Sequence, residues 1–251
     1  MNKKIILFFL ISTGLLLIDT RVIAQISDYE KANLAFNRGD YKTSYKLIRP
    51  LAKKGFAQAQ YSLGIMYEKG KGVDLNLKKA KKWFQLAAQQ GISKAQYKLG
   101  LIYKNGKGDE KNYFKAIKWW ELAANRGNTK AQINLGLMFE NGVGVPQNYN
   151  EAIRLYSLAV GAGNTKAQKY LNSLLNKKVE AQINFGLGVR FETGQGVVRD
   201  YNEAIRWYNL AANLGFDKGK EKRDLLLSKM KNSKEIRAGS KKLINLEEDK
   251  N

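Results

Sequence analysis

Residues 57–72 read AQAQYSLGIMYEKGKG, and the chain repeats this phrase as SKAQYKLGLIYKNGKG at 93–108 and as TKAQINLGLMFENGVG at 129–144. Each copy holds Ala-Gln, then Leu-Gly, then an aromatic (Tyr67, Tyr103, Phe139), then Gly-x-Gly, at a spacing of 36 residues. The Ala-Gln beat returns at Ala167-Gln168. Ala59, Leu63 and Tyr67 fall at i, i+4 and i+8, one stripe of a helix predicted over residues 58–69. Gly64 beside that stripe lets a neighbouring helix come close. Gly70 and Gly72 end the helix, because glycine takes the left-handed conformation that a C-cap requires. A period of this length signals stacked supersecondary units, which present a long surface to a partner rather than closing around one pocket.

The second half of each period predicts a second helix, over residues 77–89 in the first copy. Ala80, Trp83, Ala87 and Ala88 form its expected buried face, Lys78, Lys79 and Lys82 point away, and Gly91 closes it. The pattern recurs as Ala116, Trp119, Ala123 and Ala124, as Ala152, Leu155, Ala159 and Val160, and as Ala204, Trp207, Ala211 and Ala212. Small residues bring the helices together while one large side chain fills each gap. On this reading Trp83, Trp119 and Trp207 are core, and Trp120, one residue off the stripe, is the tryptophan open to exposure.

The pattern A-x-A-Q-x-x-L-G-x-x-Y-x-x-G-x-G-V followed by A-x-x-W-x-x-x-A-A-x-x-G resembles the Sel-1-like repeat, a relative of the tetratricopeptide repeat, over Ala57 to Phe216. The resemblance implies an all-α fold, an α/α solenoid of stacked helix pairs with the first helices on its concave side. It also implies an adaptor role in protein complexes, of a kind that bacteria often export. A cysteine-rich secreted branch is linked to β-lactam binding and hydrolysis, but that branch carries paired cysteines and this chain has none.

Ala35-Phe36, Gly39-Asp40-Tyr41, Leu51-Ala52 and Gly55 resemble a degenerate helix pair that caps the array. After Ala167-Gln168 the expected Leu-Gly and Gly-x-Gly do not follow. A new copy begins at Ala181-Gln182, where Asn184-Phe185-Gly186 is followed by Leu187-Gly188, which restores the spacing to Phe191, Gly194 and Gly196. Tyr149 to Arg154 is identical to Tyr201 to Arg206, which points to a duplication, and a bend or break is expected near Asn176 to Glu180. The resulting division is a signal peptide (1–24), a capping pair (25–56), repeats at 57–92, 93–128 and 129–164, an orphan helix (165–178), a fourth repeat (179–216) and a C-terminal cap with a charged, frayed tail (217–251).

Lys3 and Lys4, the apolar run Ile5 to Ile18 and the small or modest side chains Val22-Ile23-Ala24 read as a Sec signal peptide cut before Gln25, since the run is short for a membrane span. A periplasmic or secreted location follows. A formal net charge of +22 favours polyanionic neighbours, although the basic residues read as spread along both helices. The absence of both Cys and His excludes thiol nucleophiles, His-based triads and His or Cys metal sites. The Gly-x-Gly turns do not continue into G-K-[ST] and read as helix ends, not phosphate loops. Glu151 and Glu203 are equivalent positions of duplicated copies rather than a catalytic pair.

No catalytic, cofactor or metal residue is therefore expected. The expected partner site lies on the first helices. Tyr61 and Ile65 are displaced around the helix from Leu63 and Tyr67, and Lys69 continues their line; Tyr97, Leu101 and Asn105, then Ile133, Leu137 and Asn141, are the equivalents. With Lys94, Lys98 and Lys104 they would grip an extended or helical peptide, the lysines favouring an acidic one. The aliphatics have the alternative of packing one first helix on the next. A basic polyanion binder of the cell wall or of anionic lipid is the competing reading, nucleic acid being disfavoured by export.

Overall fold

The computed structural model describes residues 20–106 and 110–248. The apolar run of the expected signal peptide lies outside the described residues. The first helix, α1 (Thr20–Asn37), extends across the expected cut before Gln25. It is followed by α2 (Tyr41–Lys53), α3 (Ala57–Lys69), α4 (Leu77–Gln89), α5 (Ser93–Asn105), α6 (Tyr113–Ala124) and α7 (Thr129–Asn141). Next come α8 (Tyr149–Gly161), α9 (Thr165–Thr193), α10 (Tyr201–Asn213) and α11 (Asp217–Glu248). No strand occurs among the described residues, so the fold is all-α, as the repeat pattern predicts. The chain divides into two compact units, residues 1–147 and 148–251.

In the first unit each helix packs on its chain neighbours, α1 on α2 through α6 on α7. The helix starts are written locally: Asp40, Asn76 and Asn112 accept from Thr43 N, Lys79 N and Lys115 N at the starts of α2, α4 and α6. Gly70, Gly106 and Gly142 close the first helices in the left-handed conformation.

The repeated glutamine has a structural task. Gln60, Gln96 and Gln132 are buried, and their side-chain amides donate to the carbonyls of Ala52, Ala88 and Ala124 at 3.3, 3.1 and 3.1 Å. Each thereby adds a side-chain hydrogen bond to a carbonyl at the end of the preceding helix that already accepts from the backbone N–H of Gly55, Gly91 or Gly127, and so ties each first helix to the turn before it. Gln168 does not do this; it is exposed and donates to Asn172 Oδ1 at 2.7 Å.

In three of the four copies the large buried side chain sits one residue later than the sequence pattern suggested; in the third, the expected Leu155 is buried together with Tyr156. Phe84, Trp120, Tyr156 and Tyr208 are fully buried, whereas Trp83, Trp119 and Trp207 are half-buried. Trp120 is thus core, not exposed, and its indole N–H donates to Tyr97 O at 3.2 Å. The reason is the glycine of Leu-Gly. A Cβ at Gly64 would lie 2.6 Å from the Phe84 ring, and one at Gly100 would overlap the Trp120 indole. The aromatic four residues after Ala80 or Ala116 drops into the notch left by the missing side chain. Trp83, a hundred degrees around the helix, packs instead on the preceding cluster of Ile48, Leu63 and Met66.

In the second unit the orphan helix and the first helix of the fourth repeat are one element. α9 runs unbroken for 29 residues, helical through 176–180, where a bend was expected. It carries two registers in turn. Its first half meets α8, with Tyr156 and Tyr170 stacked at 5.5 Å. Its second half meets α10, where a Cβ at Gly188 would lie 2.6 Å from Tyr208, while Gly186 faces open space. The tail expected to fray continues α11 to Glu248; it contains no proline and is rich in good helix formers.

Candidate interaction groove

Two adjoining hollows open on the first-helix side of the first unit. One, of about 480 Å³, is lined by Tyr61, Ser93, Lys94, Tyr97, Lys98 and the start of α7 from Gly127 to Lys130. The other, of about 390 Å³, shares Tyr61, Ser93 and Lys94 and is completed by Tyr29, Gln58, Ser62, Gly91 and Ile92. Together they form a groove across α1, α3, α5 and α7 whose walls are tyrosine rings and whose rim is lysine.

Packing holds the tyrosines in place. Tyr61 lies against Phe84, ring centroids 5.8 Å apart, and burial, followed by the nearby Glu68 carboxylate and Tyr29, raises its phenol pKa. Burial also raises that of Tyr97, against a smaller opposing hydrogen bond from Asn134. Tyr29 is oriented by Phe56, edge-on at 5.3 Å, and shares a hydrogen bond of 3.1 Å with Ser62. Rings fixed on neighbouring helices give contact area with little ordering cost.

The charge at the groove is positive for two reasons. Lys94 and Lys130 are exposed in the first turns of α5 and α7. Those turns, like that of α3, contain no acidic residue. α3 and α5 start from Phe56 and Ile92, which offer no side-chain acceptor to the first-turn N–H groups. Helix N-termini left this way favour negative charge.

Of the residues read from sequence, the structure brings together Tyr61, Lys94, Tyr97 and Lys98. Lys98 is already engaged, its ammonium 2.6 Å from Glu68 Oε2 and half-buried, so it ties α5 to α3. Lys69, Lys104, Asn105 and Asn141 do not reach the groove. They sit at the C-terminal ends of α3, α5 and α7; Lys69, eight residues beyond Tyr61, is displaced by about 12 Å along the helix. The Lys104 ammonium lies 6.0 Å from the Trp120 ring, and the Asn141 amide donates to Leu137 O at 2.8 Å. Ile65 packs on the cluster around Phe84 and Leu99, so it joins first helices instead of lining the groove. Lys130 does not stand out in the sequence although it lies 36 residues after Lys94; Tyr29 does not because the capping pair keeps too little of the repeat to set its register.

Glu151 and Glu203 each pair with the arginine three residues on, Arg154 at 2.6 Å and Arg206 at 3.3 Å.

The Sel1 repeat model matches at residues 57–92, 93–128, 129–164 and 180–216. Among solved structures, a Sel1 repeat protein from Oxalobacter formigenes is 29% identical, with a TM-score of 0.53 over 76% of this chain and 70% of that one. A protective antigen of uropathogenic Escherichia coli with the SLR fold is 26% identical, with a TM-score of 0.57 over 80% of this chain. This chain covers about half of that antigen, 48% of its length. No curated protein matches.

Proposed function

The chain belongs to the Sel1 repeat family, whose members are typically protein-interaction scaffolds, and on that premise we propose that it is an exported, non-catalytic adaptor that takes an acidic peptide segment of a partner protein in the groove of its first unit. The observation that carries this reading is the convergence of Tyr29, Tyr61 and Tyr97 with Lys94 and Lys130 on consecutive first helices. Aromatic anchors in a shaped recess supply affinity, and the cations at its edge select acidic sequence and speed encounter.

Export rests on the basic, then apolar, then small-residue order of residues 3–24 and on the frequency of exported members in this family. No described helix is long and apolar enough to cross a membrane.

The test is affinity capture with residues 25–251 from cell-envelope extracts, washed first at low and then at high salt. A discrete protein retained at high salt, and lost with Tyr61→Ala/Tyr97→Ala, supports the groove. Recovery of nothing but salt-labile, heterogeneous anionic material contradicts it.

A further inference from the structure

The side of the first unit opposite the groove carries a second feature that the scaffold reading does not use. On α4, Lys78, Lys79 and Lys82 are exposed on the face turned away from buried Ala80 and Phe84. On α6, Lys115 and Lys118 are exposed in the same way, and on α2 so are Lys42, Lys46, Arg49 and Lys53. Neither α2 nor α4 contains an acidic residue. These outer faces adjoin. Lys81 of α4 and Lys115 of α6 lie over the same Tyr103 ring, at 4.7 and 5.4 Å. Tyr45 of α2 and Lys79 of α4 line one hollow with Tyr67.

The chain contains its own control. Lys79 and Lys115 occupy the repeat position held by Glu151 and Glu203 in the second unit, and Lys82 and Lys118 that of Arg154 and Arg206. The second unit therefore neutralises this face with Glu–Arg pairs, while the first places lysine against lysine, an arrangement that opposes helix stability. The fold does not require the lysines.

Apolar side chains stand among these cations. Phe114 is 63% exposed, with the Lys118 ammonium 4.4 Å from its ring centroid, and Leu75, just before α4, is also 63% exposed. The repeat position of Phe114 holds Asn150 and Asn202 in the second unit. Lysines whose stems flank an exposed ring match the boundary between lipid headgroups and acyl chains.

We infer that the outer face of α2, α4 and α6 rests on an anionic phospholipid surface, holding the scaffold at a membrane with its groove free. Charge complementarity selects anionic headgroups, and Phe114 and Leu75 select a bilayer over a soluble polyanion.

The test is sedimentation of the chain with vesicles of phosphatidylcholine alone or of equal parts phosphatidylcholine and phosphatidylglycerol, with polyphosphate as the soluble polyanion. Of the two vesicle types only the anionic one is expected to bind, with weaker binding to polyphosphate through the lysines alone. Lys79→Glu/Lys115→Glu installs the second unit's own pairing and is expected to lower partition on the order of a hundredfold, with the helical circular-dichroism signal unchanged. Lys82→Gln/Lys118→Gln, which adds no new charge, is expected to lower it about thirtyfold. Phe114→Ser is expected to weaken vesicle binding about fivefold and to leave polyphosphate binding unaltered. Equal binding to neutral vesicles, or full binding by both lysine variants, overturns the inference. So does a Phe114→Ser variant that binds vesicles as the parent does, which assigns the face to soluble polyanions. Tyr97→Ala, which disables the groove, is expected to leave vesicle binding intact, so the two readings fail separately.

Discussion

Gly64 and Gly186 both follow an aromatic or leucine within an apparent repeat signature, yet they do opposite things. Gly64 is the notch that receives Phe84; Gly186 faces open space in the interior of α9. Gly64→Ala is therefore expected to destabilise the chain by about 1–3 kcal/mol, because the ring has to move within a packed core. Gly186→Ala is expected to stabilise it by about 0.5–1 kcal/mol through helix propensity alone. Urea unfolding of the two variants reads the sign directly, and equal signs would mean that the notch is not what fixes the glycine. The spacing of the small residues was legible in the sequence. Which aromatic filled the notch was not, since Trp83 and Phe84 are adjacent and both large, and only the direction of Gly64 distinguishes them. The same limit applied to the groove. Tyr61 and Tyr97 were readable by angle, but the position of Lys69, Lys104, Asn105 and Asn141 along the helix, away from the hollow, does not show in a projection down the axis.

At the scale of elements, α9 shows what the sequence could and could not say. The successive Phe185-Gly186 and Leu187-Gly188 and the early Ala181-Gln182 announced a change of register, and the structure absorbs it within one continuous helix instead of at a break. A stretch without proline or a helix-ending glycine between Thr165 and Thr193 favours that outcome. The second register is fastened at its end by Glu192, which accepts a hydrogen bond from the buried Tyr208 phenol and pairs with Lys222 of α11 at 3.0 Å. Burial by itself pushes the Glu192 carboxyl pKa up, but the Tyr208 hydrogen bond and Lys222 together outweigh it and hold the pKa below the ordinary value. A carboxylate depressed in the folded state stabilises it above the unfolded pKa of about 4.3 and loses that contribution as pH falls through the folded value. Stability of the chain is therefore expected to decline on acidification below about pH 5, and Glu192→Gln to flatten that limb while lowering stability at neutral pH. An unchanged acid limb in the variant would remove Glu192 from the account. Burial, then Glu192, raises the Tyr208 pKa, so the phenol remains a donor on the alkaline side.

Over the whole molecule, the charge of +22 was visible at once, but its distribution was not. The basic residues read as dispersed because both helices of each repeat carry them. Folding sorts them into a groove rim on the first helices and an outer face on the second, and the contrast with the Glu–Arg pairs of α8 and α10 emerges only when equivalent positions are compared. Export belongs to this scale as well. Expression in a bacterium is expected to yield a chain beginning at Gln25 in the periplasm or medium, as read by N-terminal sequencing; an intact Met1 on cytoplasmic protein would contradict it. The central claim, that the groove of the first unit takes a partner protein, is tested most directly by site-specific photocrosslinking in intact cells. A photoreactive phenylalanine analogue replaces Tyr97 in one sample and Leu122, exposed on the outer face of α6, in another. The account predicts one discrete crosslinked protein from position 97 that is absent from position 122. Protein crosslinks of equal yield at both positions, or none at position 97, would contradict it.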